Sequence, residues 1–227
     1  MSEPSFLTGR GETPVVHAAT VVLLRDVDGS VETLMLRKTQ GQAFGGMWVF
    51  PGGRVERGDG EAETGALAAA VREAAEETGL VLAPGDLVPF AHWTPPPEAP
   101  RRFATWFFVA KLPPGLADVV VDGGEIGDHV WTAPALALER HAAGEIELAP
   151  PTWVTMHRLC EFTDGAAAVG ALRQRPVEYF ATRILSSEGS VFAVWEPDAA
   201  YVTGDVDTPG ARHRLAMVKG GWRYERT

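Results

Sequence analysis

The stretch that most constrains this chain runs from Phe50 to Leu80, FPGGRVERGDGEAETGALAAAVREAAEETGL. A short apolar segment, Met47 to Phe50, halts at Pro51, and Gly52-Gly53 follow it. Two glycines there let the backbone come close to a charged ligand with no Cβ in the way. Further on, the spacing predicts a helix from about Thr64 to Thr78, with Leu67, Ala70, Val71 and Ala74 as an apolar stripe and Gly79 as its C-cap. The same helix carries Glu73, Glu76 and Glu77 within one turn. Residues three and four apart share a face, so the pattern predicts three carboxylates projecting together, away from the stripe. Like charges at that spacing weaken a helix by a few tenths of a kcal/mol per pair. Either the three form a solvated face, or a cation offsets their repulsion. A hard ion such as Mg²⁺ takes oxygen ligands in octahedral geometry, and a helical turn presents them preorganised. Arg72, just before them, can pair with a carboxylate and fix its rotamer.

Around this stretch the chain alternates strand and helix signals. HAATVVLLR (17–25) and VETLMLR (31–37) read as paired strands across the DVDGS turn. Residues 86–93 and 102–111 read as further strands, separated by the stiff TPPPEAP loop at 94–100. Asp128–Trp131 is another strand, and Pro134 opens a helix that Gly144 closes. PPTWVTMHRLCEF (150–162) and DGAAAVGALRQR (164–175) read as helices, with Cys160 as a small buried residue. SVFAVWE, RHRLAMV and GWRYE make the last fifty residues β-rich. The expectation is a mixed α/β or α+β fold in three parts: a loose arm at 1–14, a main domain at 15–175, and a β-rich extension at 176–227 packed on it.

Composition narrows the function. The 227 residues carry a net charge of −10, the opposite of the basic face a nucleic-acid binder needs. A single cysteine allows no internal disulfide and no multi-cysteine metal site. No window approaches the apolar length of a signal or membrane span, so a cytoplasmic protein is expected. The six histidines show no metal-ligand spacing, and there is neither a GxSxG nucleophile signature nor a P-loop.

The segment Arg72-Glu73-Ala74-Ala75-Glu76-Glu77-Thr78-Gly79-Leu80 resembles the second half of the Nudix box, with Gly53 beginning its first half and Glu56 and Gly58 in the common GGxxExG form. Ala74 is small for its position. The acid expected after the box's five-residue gap falls on Asp59, and twelve residues separate it from Arg72 where the pattern has seven. The acid's place falls to Asp59, to Glu61 or Glu63, or goes unfilled. The resemblance implies a mixed β-sheet held between helices and a hydrolase that cleaves a diphosphate linked to another group, using Mg²⁺ or Mn²⁺. It implies Glu73, Glu76 and Glu77 as metal ligands, a carbonyl ligand from Gly53, and Arg72 as the residue that orients a carboxylate. Glu77 and Glu125, in the loop GGEIGDH, are the two candidates for general base.

WTPPPEAPRRFATWFFVA and GEIELAPPTWVTMHRL extend the resemblance to the coenzyme A diphosphatase-like branch, peroxisomal members included, over about residues 15–160. Ala104 and Trp106 stand where that branch has Asp and Arg, and of its arginine segment before FPGG only Arg37 remains. Arg37, Arg101 and Arg102 are the candidate contacts for substrate phosphate, since arginine binds phosphate bidentately. Trp93, Trp106 and Phe107 are either core or a stacking platform for a base. The expected partner is a small diphosphate, with no nucleic-acid polymer and no membrane, and the extension offers a surface for a homodimer. The competing expectation is a Nudix-fold sensor that binds a nucleotide without hydrolysing it.

Overall fold

The computed structural model describes residues 14–41, 43–116, 118–121, 124–218 and 221–227. Of the expected N-terminal arm, residues 1–13 lie outside that set. The chain divides into two compact units: Val16–His92 with Thr105–Glu178, and Trp93–Ala104 with Tyr179–Thr227 and Val15.

The first unit is built on a large mixed sheet. Its strands are β1 (Val15–Val27), β2 (Ser30–Lys38), β3 (Trp48–Val49), β4 (Gly52–Arg54), β5 (Val88–Thr94), β6 (Arg102–Lys111) and β7 (Ile126–Thr132). They run in the order β3-β2-β1-β6-β5, with β4 paired to β1 and β7 to β2. β1 and β2 form the antiparallel hairpin expected across DVDGS, with Leu24 opposite Thr33 and Val27 opposite Ser30. Alternate residues face opposite sides of a strand. On one side Ala19, Val21 and Leu23 of β1, Leu34 and Leu36 of β2, and Phe108 and Ala110 of β6 form a buried cluster with helix α1 (Ala62–Thr78). On the alternate positions Val22, Phe90 and Val109 line one small cavity with Thr155 and Leu159 of α3 (Pro150–Leu159) and Leu172 of α4 (Gly165–Gln174). The sheet is thus held between helices. Each large apolar side chain buried there contributes about 1.5–3 kcal/mol. The remaining helix, α2 (Pro134–Ala142), starts at proline as expected, and Gly144 follows its end at φ +75°.

The second unit holds β8 (Glu178–Ala181, from Tyr179 on), β9 (Arg183–Ser187), β10 (Ser190–Val194), α5 (Ala199–Thr203), β11 (His213–Val218) and β12 (Gly221–Arg226). The last strands form an antiparallel sheet, β12-β11-β10-β9. The Trp93 ring stacks on Phe180 at 3.8 Å, and Trp195 meets both rings edge-on at 5.4 Å. These rings are buried core, which excludes Trp93 from the stacking platform; Phe107, 5% exposed, is excluded with it. Among the described residues no helix is long and apolar enough to cross a membrane.

Three expectations need correcting. The buried line of α1 is made of small residues, Ala66, Ala69, Ala70 and Ala74, while Leu67 and Val71 are only partly buried at its flanks. Alanines let the helix lie close to the sheet, and the longer side chains fill the edges. Glu77 shares the buried side with Ala70 and Ala74, so the three carboxylates do not all project into solvent. Cys160 is exposed just past α3, its thiol 3.3 Å from the Met156 carbonyl.

Candidate active site

The two glycines of the FPGG turn are fixed by their neighbours. The Val21 N–H and the Thr20 hydroxyl both donate to the Pro51 carbonyl, at 2.9 and 2.6 Å, pinning the turn to β1. β4 then pairs with β1, Gly53 opposite Ala19. A Cβ on Gly52 would strike the Ala19 carbonyl and Thr20, and a Cβ on Gly53 would overlap the Glu73 carboxylate. Gly52 is confined by backbone at φ +156°, while at Gly53 the Glu73 carboxylate would have to move to admit a side chain. The turn therefore brings backbone against the chain's own buried carboxylate, where the sequence suggested approach to a charged ligand.

The helix presents its carboxylates in three different settings. The Glu76 side chain is 59% exposed, that of Glu73 15%, and that of Glu77 6%. Arg72 collects the first two: its Nη1 donates to Glu73 Oε1 at 2.9 Å and to Glu76 Oε2 at 3.0 Å. Its other edge donates from Nε and Nη2 to Asp59 at 3.2 and 3.0 Å, and from Nη2 to the Arg54 carbonyl at 3.0 Å. Asp59 also accepts the Glu56 N–H at 2.8 Å. The Arg72 contact holds the Asp59 carboxyl below its usual range, and Asp59 in turn raises the guanidinium's hold on its proton. Of the candidates for the box acid's place, Asp59 is the one that meets Arg72, while Glu61 and Glu63 are exposed. Gly60 and Ala62, at φ +100° and +50°, turn the chain between Asp59 and the helix, and a Cβ on Gly65 would collide with Gly60. Between Asp59 and Arg72 lie that turn and the first turns of α1.

Glu77 is the carboxylate met from below. Its Oε2 accepts the Gly52 N–H at 2.9 Å and its Oε1 accepts from Lys38 Nζ at 2.5 Å. Burial pushes the Glu77 carboxyl up, partly offset by the Lys38 charge, and burial pushes Glu73 up against the pull of Arg72. Lys38 Nζ also lies 3.6 Å from Glu125 Oε2. Sequence reasoning missed Lys38. The signal was there: Lys38 continues the inward positions Leu34 and Leu36, and Arg37, the residue chosen instead, is exposed. A bulge in the β2–β7 pairing falls between Arg37 and Lys38, and no sequence pattern announces it. Arg101, exposed, and Arg102, partly buried at the start of β6, belong to the second compact unit.

Five carboxylates, of Asp59, Glu73, Glu76, Glu77 and Glu125, therefore share two cations, Arg72 and Lys38. Among the described residues no three carboxylate, imidazole or thiolate groups converge on one point, because the oxygens are turned to these two cations. The donor set still suits a divalent ion. It is all oxygen, it carries an excess of three negative charges, and the glycine at 53 leaves Glu73 room against the backbone.

A mixed sheet between helices, with a glycine turn set against a carboxylate helix, defines a Nudix-type domain. The family model described as NUDIX domain matches residues 15–151, more than half of the chain, and this chain belongs to that family. Over 63 residues it is 36% identical to the acyl-coenzyme A diphosphatase NUDT19 of Gallus gallus, a match spanning 28% of this chain and 17% of that protein. Among solved structures, a NUDIX hydrolase from Alicyclobacillus acidocaldarius shares the fold at TM-score 0.65 and 24% identity, covering 72% of this chain and 99% of that one. The NUDIX domain of Shewanella oneidensis NrtR, solved with ADP ribose, superposes at TM-score 0.52 and 17% identity over 66% of this chain and 88% of its own.

Proposed function

We propose that this protein is a metal-dependent hydrolase of a diphosphate bond in a nucleoside-diphosphate-linked small molecule. The observation that carries the reading is the acidic turn of α1: three carboxylates over a glycine backbone, with more negative charge than the protein itself neutralises. Glu73, Glu76 and Glu77, with the Gly53 carbonyl, are the groups that would hold Mg²⁺ or Mn²⁺. Such an ion, when bound, clamps diphosphate oxygens and lowers the pKa of a bound water. The protein's own residues do the rest. Arg72, anchored by Asp59, keeps Glu73 and Glu76 side by side. Glu76, the most exposed of the three, is the ligand that solvent and an incoming ion reach most readily. Glu77 has both oxygens engaged and serves as a ligand, not as the free base.

The local likeness to an acyl-coenzyme A diphosphatase supports a CoA-like substrate. Ala104 and Trp106, which replace the charged pair of that branch, argue for testing other adenosine diphosphates beside it. A cytoplasmic setting goes with the acidic chain and its single cysteine. The test is a panel of CoA, acyl-CoA, NADH, ADP-ribose and dinucleoside polyphosphates with Mg²⁺ or Mn²⁺, read by product mass. At least one should be cleaved at the diphosphate, and Glu76→Gln should lower kcat by about a hundredfold or more, the loss expected for removing a group that acts on the transition state. Wild-type rates in Glu76→Gln would sink the assignment, and tight binding without turnover would favour the nucleotide sensor.

A further inference from the structure

Lys38 already places a cation on the most buried carboxylate of the proposed metal site. The charge of Glu77 cannot be left bare at 6% exposure, so Glu77 Oε1 needs either this ammonium or another cation. Held on the same oxygen, the two cations repel each other. An oxygen 2.5 Å from Nζ would, with an ion bound at about 2.1 Å, bring two positive charges within roughly 4 Å of each other. The structure also provides a second acceptor for the ammonium. Glu125 Oε2 lies 3.6 Å from Nζ, just beyond hydrogen-bond length, and its carboxylate is more than half exposed. The loop that carries it is tied to the residue after Lys38: the Thr39 N–H donates to the Glu125 carbonyl at 3.0 Å and the Thr39 hydroxyl to the Gly124 carbonyl at 3.2 Å. The lysine stem is flexible, while its backbone is fixed in β2, so a short swing is all that separates the two carboxylates.

Resting on the metal-site reading above, we propose that Lys38 is a displaceable counter-cation. Lys38 would yield Glu77 to a bound divalent ion and pass its ammonium to Glu125. Glu125 acts through Lys38 as a positioning residue, and the loop at residues 124–126 is coupled to the occupancy of the metal site. Lys38 also sets the site's threshold for metal, because any ion must first compete with it.

The experiment is a Mn²⁺ titration of the full chain, with free ion read by electron paramagnetic resonance, on wild type, Lys38→Gln, Glu125→Gln and the double variant. Lys38→Gln should bind Mn²⁺ about tenfold more tightly, since the internal competitor is gone. Glu125→Gln should weaken binding several-fold where Lys38 is present and have no effect where it is absent, the coupling that a double-mutant cycle isolates. Unchanged or weaker binding by Lys38→Gln overturns the competition, and an equal loss from Glu125→Gln in both backgrounds overturns the hand-over. Lys38→Met, which keeps most of the apolar stem, repeats the comparison should Lys38→Gln be poorly folded without ion; its melting temperature should also rise more on adding Mn²⁺ than that of wild type. Failure of every form to bind Mn²⁺ would instead overturn the metal-site reading itself.

Discussion

Gly53 and Arg72 hold the site from opposite sides of Glu73. Arg72 pulls one oxygen of that carboxylate to 2.9 Å, and Gly53 leaves the space into which the carboxylate is pulled. A methyl group at 53 would occupy that space, and Glu73 is too enclosed to step aside freely. Gly53→Ala should therefore displace Glu73 and weaken Mn²⁺ binding by about tenfold, with a stability loss of about 1–3 kcal/mol as in other overpacked sites. A Mn²⁺ titration and a thermal melt on the same sample check both halves; unaltered Mn²⁺ affinity would show that Glu73 has room to move. The glycine pair was legible in the sequence as a close approach, but which partner approaches was not. That needs the register of β4 on β1, which a pattern of residue types does not contain.

At the scale of elements, α1 shows both what the sequence reveals and where it stops. Its span, its C-cap at Gly79 and the carboxylate turn all follow from periodicity and capping. Which side faces the sheet was misread, because Leu67 and Val71 outrank alanine in hydrophobicity. Close packing rewards small residues where a helix lies flat on a sheet, and Ala66, Ala69, Ala70 and Ala74 are each 0% exposed. Ala70→Leu should accordingly destabilise the fold by about 1–3 kcal/mol, measurable as a lower denaturant midpoint with an unchanged slope. A neutral outcome would mean the helix can ride away from β1 and β2. The same limit explains Lys38 and Asp59. Strand β6 matches its apolar, aromatic run to the residue, and β1 and β2 lie within two residues of theirs, yet the short strands β4 and β8 leave too few residues for a pattern. Lys38 meets Glu77 across 39 positions of sequence and Asp59 meets Arg72 across 13, so neither pairing is a local signal.

Across the whole molecule the net charge of −10 makes it important which anions are neutralised inside. The first unit pairs Asp26 with Lys111 at 2.5 Å, but both side chains are about 30% exposed, and such pairs are worth at most about 1 kcal/mol. The second unit closes a different kind of pair. Asp198, 2% exposed, accepts from Arg214 Nε and Nη2 at 2.7 and 2.6 Å and from the backbone N–H groups of His213 and Ala200 at 2.8 and 2.9 Å. Arg214 spends its remaining edge on the Val206 carbonyl at 2.8 Å. Burial alone would push the Asp198 carboxyl up; the guanidinium and the two N–H groups outweigh it and bring the group down to about 2 from 3.8. A depressed carboxylate adds stability that is fully present above its unfolded value and is lost as pH falls through the folded one. That contribution amounts to about 2 kcal/mol, and it should disappear between about pH 4 and pH 2. Asp198→Asn should remove this acid-sensitive component and, by leaving Arg214 buried without its counter-ion, cost about 3–5 kcal/mol at neutral pH. Among the seven tryptophans, Trp195 reports on this pair, since it lies 5.3 Å from His213. Urea midpoints at pH 7, 4 and 2.5, followed by that signal, should converge for wild type and Asp198→Asn as pH falls; a gap that stays constant with pH would show that the pair is not what holds the unit together.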